Sequence, residues 1–314
     1  MNSQSESLKE QGSFMAKISL KEKIKQGLLL LDGAMGTQLF AHGVAAGVCN
    51  DYLNIESPDT IFDIHRSYFE AGSDAVLTNT FGANKYALER HGFSDKVRQI
   101  NTAAAKIARR AAGKEKYVLG DVGPSGDFLQ PLGSVKPDEL KDAFTEQAKV
   151  LLAGGVDGFI IETMTALDEI TIAIEAVKSV CGDLPVFASM SFDMAGSEYR
   201  TMMGVDVKSA ALKIISLEAD AIGFNCGSLN MEQYIELAEI FASEVKGKSV
   251  LLAEPNAGRP ELVGDQVVYK VTPQDFSAAA EKIHSAGFNI IGCCCGTGPE
   301  HIKAVSKKLR TGNG

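Results

Sequence analysis

Three consecutive cysteines, Cys293, Cys294 and Cys295, stand between Gly292 and Gly296-Thr297 near the end of the 314-residue chain. They close the apolar run Phe288-Asn289-Ile290-Ile291, which sets several sulfurs at the mouth of a buried strand. Thiolates are soft ligands suited to zinc; a structural zinc takes four protein ligands, whereas a catalytic one keeps a position open. The triplet cannot close a tetrahedral site alone. Strict alternation along a strand would put Cys293 and Cys295 on one face, unless the backbone bends where the strand ends. A further ligand must come from elsewhere, and Cys226, in Gly223-Phe224-Asn225-Cys226-Gly227, also closes an apolar run. The competing reading, a buried small hydrophobe, is the one assigned to Cys49 and Cys181.

The elements that must position these sulfurs follow from the hydrophobic pattern. Apolar runs at 28–31, 75–78, 117–121, 158–163, 186–191, 221–224, 250–253 and 288–291 alternate with helical stretches at 58–71, 94–112, 137–153, 167–180, 207–217, 231–244 and 273–286, after a short helix at 20–26. Such alternation means parallel strands with helical crossovers, and eight units are the count of a closed barrel. The expected fold is therefore α/β, a single-domain (β/α)8 TIM-type barrel over 16–310, with 1–15 a disordered lead-in. A doubly wound open sheet is the competitor. It lacks support, because Asp32-Gly33-Ala34-Met35-Gly36-Thr37 has the wrong glycine spacing for a dinucleotide fingerprint. Residues 42–54 read as an insertion over the barrel mouth.

In such barrels chemistry collects at the carboxyl ends of the strands. These strands deliver Asp32, Asn79, Asp121, Glu162, Ser191, Cys226, Glu254 or Asn256, and the cysteine triplet. None of the five histidines falls at these places, which disfavours Ser-His-Asp chemistry. Asp32 and Glu162 could serve as general acid and base, bind an ammonium group, or only cap helices. Backbone N–H groups of Gly33 to Gly36, ahead of a helix, can receive a carboxylate. An ammonium site, a carboxylate site and an open zinc together describe an amino acid with a thiol side chain.

Composition excludes other classes. A net charge of -9 without a basic stripe argues against nucleic acid, and no apolar segment approaches the roughly 20 residues that span a bilayer. The first residues lack the order of a secretory signal. Six cysteines, three of them contiguous, do not make a disulfide framework in a chain this large, so a reducing cytoplasm is expected.

Taken together, Asp32-Gly33-Ala34-Met35-Gly36-Thr37, Asn79-Thr80-Phe81, Glu162-Thr163, Asn225-Cys226, Pro255-Asn256-Ala257-Gly258 and Cys294-Cys295-Gly296-Thr297 resemble the homocysteine S-methyltransferase family. Within it the chain looks most like the homocysteine-binding module of cobalamin-dependent methionine synthases, especially at Ile64-His65-Arg66-Ser67-Tyr68. The resemblance implies zinc on Cys226, Cys294 and Cys295, with the homocysteine sulfur in the open position. It also implies substrate contacts at Asp32, Gly33, Ala34, Asn79, Glu162 and Asn256. The implied donor is methylcobalamin, free or on a separate corrinoid protein, because the chain ends soon after the barrel. Elsewhere in the family the donor is betaine or S-methylmethionine. The family's usual Gly-Gly-Cys-Cys-Gly has Cys293 as its second position here. That extra thiol suits a different class of protein, a zinc-thiolate redox sensor, which leaves the acids and loop glycines unexplained.

Overall fold

The computed structural model describes residues 17–264 and 266–311; the lead-in expected over 1–15 lies outside them. In chain order the strands are β1 (Leu29–Leu30), β2 (Ala75–Leu77), β3 (Tyr117–Val122), β4 (Gly158–Met164), β5 (Val186–Met190), β6 (Asp193–Ala195), β7 (Glu198–Arg200), β8 (Ala221–Asn225), β9 (Val250–Glu254), β10 (Glu261–Val263), β11 (Gln266–Val268) and β12 (Phe288–Ile291). Eight of them form one parallel sheet in the order β1-β12-β9-β8-β5-β4-β3-β2, the nearly closed barrel that the pattern predicts. The remaining four make two antiparallel hairpins, β6–β7 and β10–β11.

The strands read as unbroken apolar runs because both faces are buried. Their outward side chains pack under the crossover helices in the main core. The inward ones, including Leu31, Leu119, Ile160, Phe187, Leu252 and Ile290, form a second cluster that plugs the barrel. Each of these six is fully buried, a gain of about 1.5–3 kcal/mol per large side chain.

One seam is closed differently. β1 has only two residues, and β1 and β2 share no ladder within the described residues. Side chains and one main-chain bond join them instead. Leu30 N–H donates to Asp74 Oδ2 at 2.9 Å, Asp74 N–H to Leu30 O at 2.7 Å, and Ser73 Oγ to Leu31 O at 3.0 Å. Leu77 N–H lies 3.2 Å from both carboxylate oxygens of Asp32. Backbone N–H groups that a ladder would satisfy are thus satisfied by carboxylates, and the carbonyls of Leu30 and Leu31 by Asp74 N–H and the Ser73 hydroxyl.

Most helices start and stop close to the expected positions. The stretch expected at 94–112 begins as a 3-10 turn, Ser94–Lys96, and becomes α-helical only over Val97–Ala112. The first helix is shorter than expected, Leu20–Lys23, and is held by a capping box between Ser19 and Glu22. A helix over Pro299–Thr311 closes the described chain. Among the described residues no helix is long and apolar enough to cross a membrane.

Candidate functional site

A cavity of about 670 Å³ opens at the carboxyl ends of the strands. Cys226, Cys293, Cys294 and Cys295 line it together with Asp32, Asp51, Asp121, Glu162 and Glu254, and among the described residues no Lys, Arg or His side chain does. Asn50 and Asp51, from the insertion expected over the mouth, form part of its wall.

The sulfurs of Cys226, Cys294 and Cys295 all lie within 4.8 Å of one another. Cys295 Sγ is 4.0 Å from Cys226 Sγ and 3.9 Å from Cys294 Sγ. Strand alternation, which pairs Cys293 with Cys295, does not hold here. β12 ends at Ile291, and successive N–H groups then bond to different neighbours: Gly292 to Ala253 O at 2.9 Å, Cys293 to Asp32 O at 3.0 Å, Cys294 to Pro255 O at 2.8 Å. The backbone bends, Cys293 stays buried beside the acids, and Cys294 joins Cys295. Cys49 and Cys181 are buried elsewhere, and all six cysteines are free thiols.

Cys226 reaches the cluster through a strained backbone. Its φ is 56°, and that of Thr163 is 60°, a left-handed conformation that a β-branched residue rarely adopts. Neighbours hold both residues in place. Tyr234 Oη donates to Cys226 O at 2.6 Å and Asn256 Nδ2 to Gly227 O at 2.5 Å. Thr163 N–H donates to Asn225 Oδ1 at 2.8 Å, and Asn225 Nδ2 donates to Thr163 Oγ1 at 2.6 Å and to Glu162 Oε2 at 2.5 Å. The β4–β5 register also shifts between Ile161 and Met164, a bulge that re-aims the strand end.

The residues present fit a thiophilic divalent ion. Two tetrahedral zinc–sulfur bonds of ≈ 2.3 Å set their sulfurs about 3.8 Å apart, close to the observed spacing. Without a cation the three thiols cannot all ionise. Hydrogen bonds from Cys226 and Cys294 push Cys295 down to about 3, while those with Cys226 and Cys295 hold Cys294 well above the ordinary thiol value. Asn256 Oδ1, on the adjoining loop, is buried with no partner.

The acids form a second group. Burial raises Asp32, Asp121 and Glu254 well above the usual carboxylate range and Glu162 to about 7. A cavity wall of neutral or half-ionised carboxyls accepts a cation readily, because the cation removes the cost of ionising them.

The expected contact residues fall in different places. Asp32, Gly33, Ala34, Asn79 and Glu162 line the cavity; Asn256 does not. Asn79 is also a clamp on the insertion: its Nδ2 donates to Asn50 O at 2.8 Å, and Asn54 Nδ2 donates to its carbonyl at 2.7 Å. Ala34 N–H already donates to Thr297 Oγ1 at 3.2 Å. Gly33 is packed so closely that a Cβ would lie 2.9 Å from Thr297 Oγ1 and 3.0 Å from the Tyr68 hydroxyl. Ser191, at the end of β5, does not reach the cavity. Asn225 and Thr163 entered the sequence reading only within the motifs Asn225-Cys226 and Glu162-Thr163, and Tyr269, which also lines the cavity, did not enter it.

Fold and site thus define a (β/α)8 barrel with an open sulfur cluster among acids at its mouth. The family described as homocysteine S-methyltransferase matches residues 29–309, and the chain belongs to that family. The methionine synthases of Mycobacterium tuberculosis and Mycobacterium leprae are each 34% identical over 304 residues, covering 91% of this chain and 25% of theirs. The chain therefore spans about a quarter of the length of these relatives. Among solved structures, the homocysteine methyltransferase MmuM from Escherichia coli in its metallated form superposes with a TM-score of 0.73 at 22% identity, covering 91% of this chain and 97% of that one. A methyltransferase from Methanosarcina mazei gives 0.61 at 12% identity, covering 95% and 100%. At these identities the two structures speak for the fold alone.

Proposed function

We propose that this chain holds zinc on Cys226, Cys294 and Cys295 and methylates homocysteine to methionine, with methylcobalamin, free or carried by a separate corrinoid protein, as donor. The observation that carries the reading is the meeting of three sulfurs within 4.8 Å on the wall of a cavity rich in acids and, among the described residues, without a basic side chain. Zinc bound there would draw off the substrate thiol proton and leave a nucleophilic sulfur. The chain's own residues orient the rest. Asp32 and Glu162 face the substrate ammonium, and the loop at Gly33 and Ala34 lies along its carboxylate. Asn225 fixes Glu162, while Asn79 holds the insertion that walls the cavity. Asn256 holds the turn that carries Cys226 and adjoins the site. Methylcobalamin would supply the methyl group: the substrate sulfur would bond to the methyl carbon as the methyl–cobalt bond broke, with its electron pair leaving on the corrinoid. The 34% identity to methionine synthases supports this donor. We take 16–310 as the functional unit and a reducing cytoplasm as its compartment, which suits six free thiols.

The zinc-loaded chain, given homocysteine, should form methionine with methylcobalamin and not with S-methylmethionine. Even without a donor, homocysteine binding should release close to one proton near neutral pH. Proton release with turnover only on S-methylmethionine would keep the thiol activation and replace the donor. No homocysteine binding at all would end the proposal.

A further inference from the structure

We propose that His301 is a positioning residue of the sulfur site: fixed as one neutral tautomer, it fastens the cysteine loop to the arm that brings Tyr269 to the cavity. This rests on the zinc and homocysteine reading above. His301 lies outside the strand ends and serves the site from behind. Helix side chains lean toward the helix N-terminus, so in the first turn of the helix Pro299–Thr311 its ring reaches back to Gly298, where the cysteine loop ends.

The imidazole is buried, and both of its nitrogens are engaged. Nδ1 lies 3.2 Å from Gly298 N, a backbone donor, and Nε2 lies 3.2 Å from Val271 O, a backbone acceptor. An N–H donates only to a bare nitrogen and a carbonyl accepts only from a protonated one, so the ring is neutral with its proton on Nε2. Glu300 Oε1, 3.4 Å from Nδ1, would gain a bond only from a protonated Nδ1, which the Gly298 N–H opposes. Phe276, fully buried, meets the imidazole edge-on with centroids 5.7 Å apart and holds its plane.

Two further bonds close a circuit. Val271 N–H donates to Ala257 O at 3.3 Å, and Ala257 N–H to Cys295 O at 2.9 Å. From Cys295 the chain leads through Gly296 and Thr297 back to Gly298, and the one side chain in this circuit is that of His301. Tyr269, two residues before Val271, lines the cavity, and its ring covers Gly296 so closely that no Cβ would fit there. Releasing Nε2 therefore frees the arm and its Tyr269. Releasing Nδ1 instead leaves the buried Gly298 N–H without an acceptor, three residues after Cys295.

Two isosteres separate these halves: Asn sets an amide oxygen where Nδ1 stands, and Gln an amide nitrogen where Nε2 stands. Zinc affinity is read by chelator competition, and homocysteine affinity by titration calorimetry on the zinc-saturated protein. His301→Gln should weaken zinc about tenfold, the scale of an outer-shell loss at a metal site, and leave homocysteine within about twofold. His301→Asn should do the reverse, holding zinc within about twofold while homocysteine weakens about tenfold. Should either variant not fold, nitrogen NMR of the wild-type imidazole carries the test, with Nδ1 bare and Nε2 protonated at neutral pH. A protonated Nδ1, or two variants that move zinc and homocysteine alike or move neither, overturns the inference and leaves the enzyme reading intact. A wild-type protein that does not bind homocysteine removes that underlying reading, and the inference with it.

Discussion

The plug of the barrel and the floor of its cavity are built on the same strands, two residues apart. Below lie Leu119, Ile160 and Leu252, fully buried and apolar; above lie Asp121, Glu162 and Glu254, raised by burial out of the usual carboxylate range. One strand repeat of roughly 6.6 Å separates a layer that stabilises the fold from one that costs it stability. Raised carboxyl values mean that ionising these acids opposes folding until a cation arrives. The plug therefore supplies the stability against which the floor holds its chemistry in an unfavourable state, the trade expected where function needs buried polar groups.

The comparison breaks most severely if its lower layer is cut. Phe187→Ala should lower the unfolding free energy in urea by about 3–5 kcal/mol, because Phe187 is fully buried in the plug and leaves a cavity behind. Glu254→Gln, in the upper layer, should leave the urea midpoint unchanged or raise it. A loss of stability in Glu254→Gln as large as in Phe187→Ala would contradict the division of labour between the layers.

Asp32 belongs to both layers, since it closes the β1–β2 seam and faces the cavity. Asp32→Asn should weaken homocysteine by about 1.5–3 kcal/mol if a charge-assisted bond is lost. It should also lower the melting temperature, which Glu162→Gln should do less, and both should keep zinc. A normal homocysteine affinity with a lower melting temperature would confine Asp32 to the seam.

The smallest effect is one of pH. Burial raises Asp51 from 3.8 to about 6, although its Oδ1 accepts the Gly82 N–H at 2.9 Å. The fold prefers the neutral acid, so this group's contribution is fully present below pH 3.8 and is lost as pH rises through about 6. The stability difference between wild type and Asp51→Asn should change across that window and be flat above it. A difference constant from pH 4 to pH 7 would show that Asp51 titrates normally.

What the sequence allowed follows from where each signal is encoded. The eight barrel strands were legible because parallel strands buried on both faces are unbroken apolar runs between amphipathic helices. The hairpins β6–β7 and β10–β11 were not. Their strands are three residues long, and Leu262, at 76% exposure, shows that the second lies outside any core pattern. The sulfur cluster was half legible: residue types pointed to a metal, but simple alternation chose Cys293 over Cys294. The bend after Ile291 depends on hydrogen bonds to Ala253, Asp32 and Pro255, which lie far away in the chain. The bond from Asn256 to Gly227 was hidden as well, because its partner is supplied by another strand end. The seam role of Asp32 was hidden for the same reason.

The most direct test is X-ray absorption at the zinc edge of the loaded protein, before and after homocysteine is added. Three protein sulfurs at ≈ 2.3 Å should become four when the substrate sulfur enters. Cys293→Gly should give the same change, and Cys294→Ser should lose the metal. A sulfur count that does not rise with homocysteine, or a Cys293→Gly protein that cannot hold zinc, would contradict the assignment of Cys226, Cys294 and Cys295 as an open, substrate-binding site.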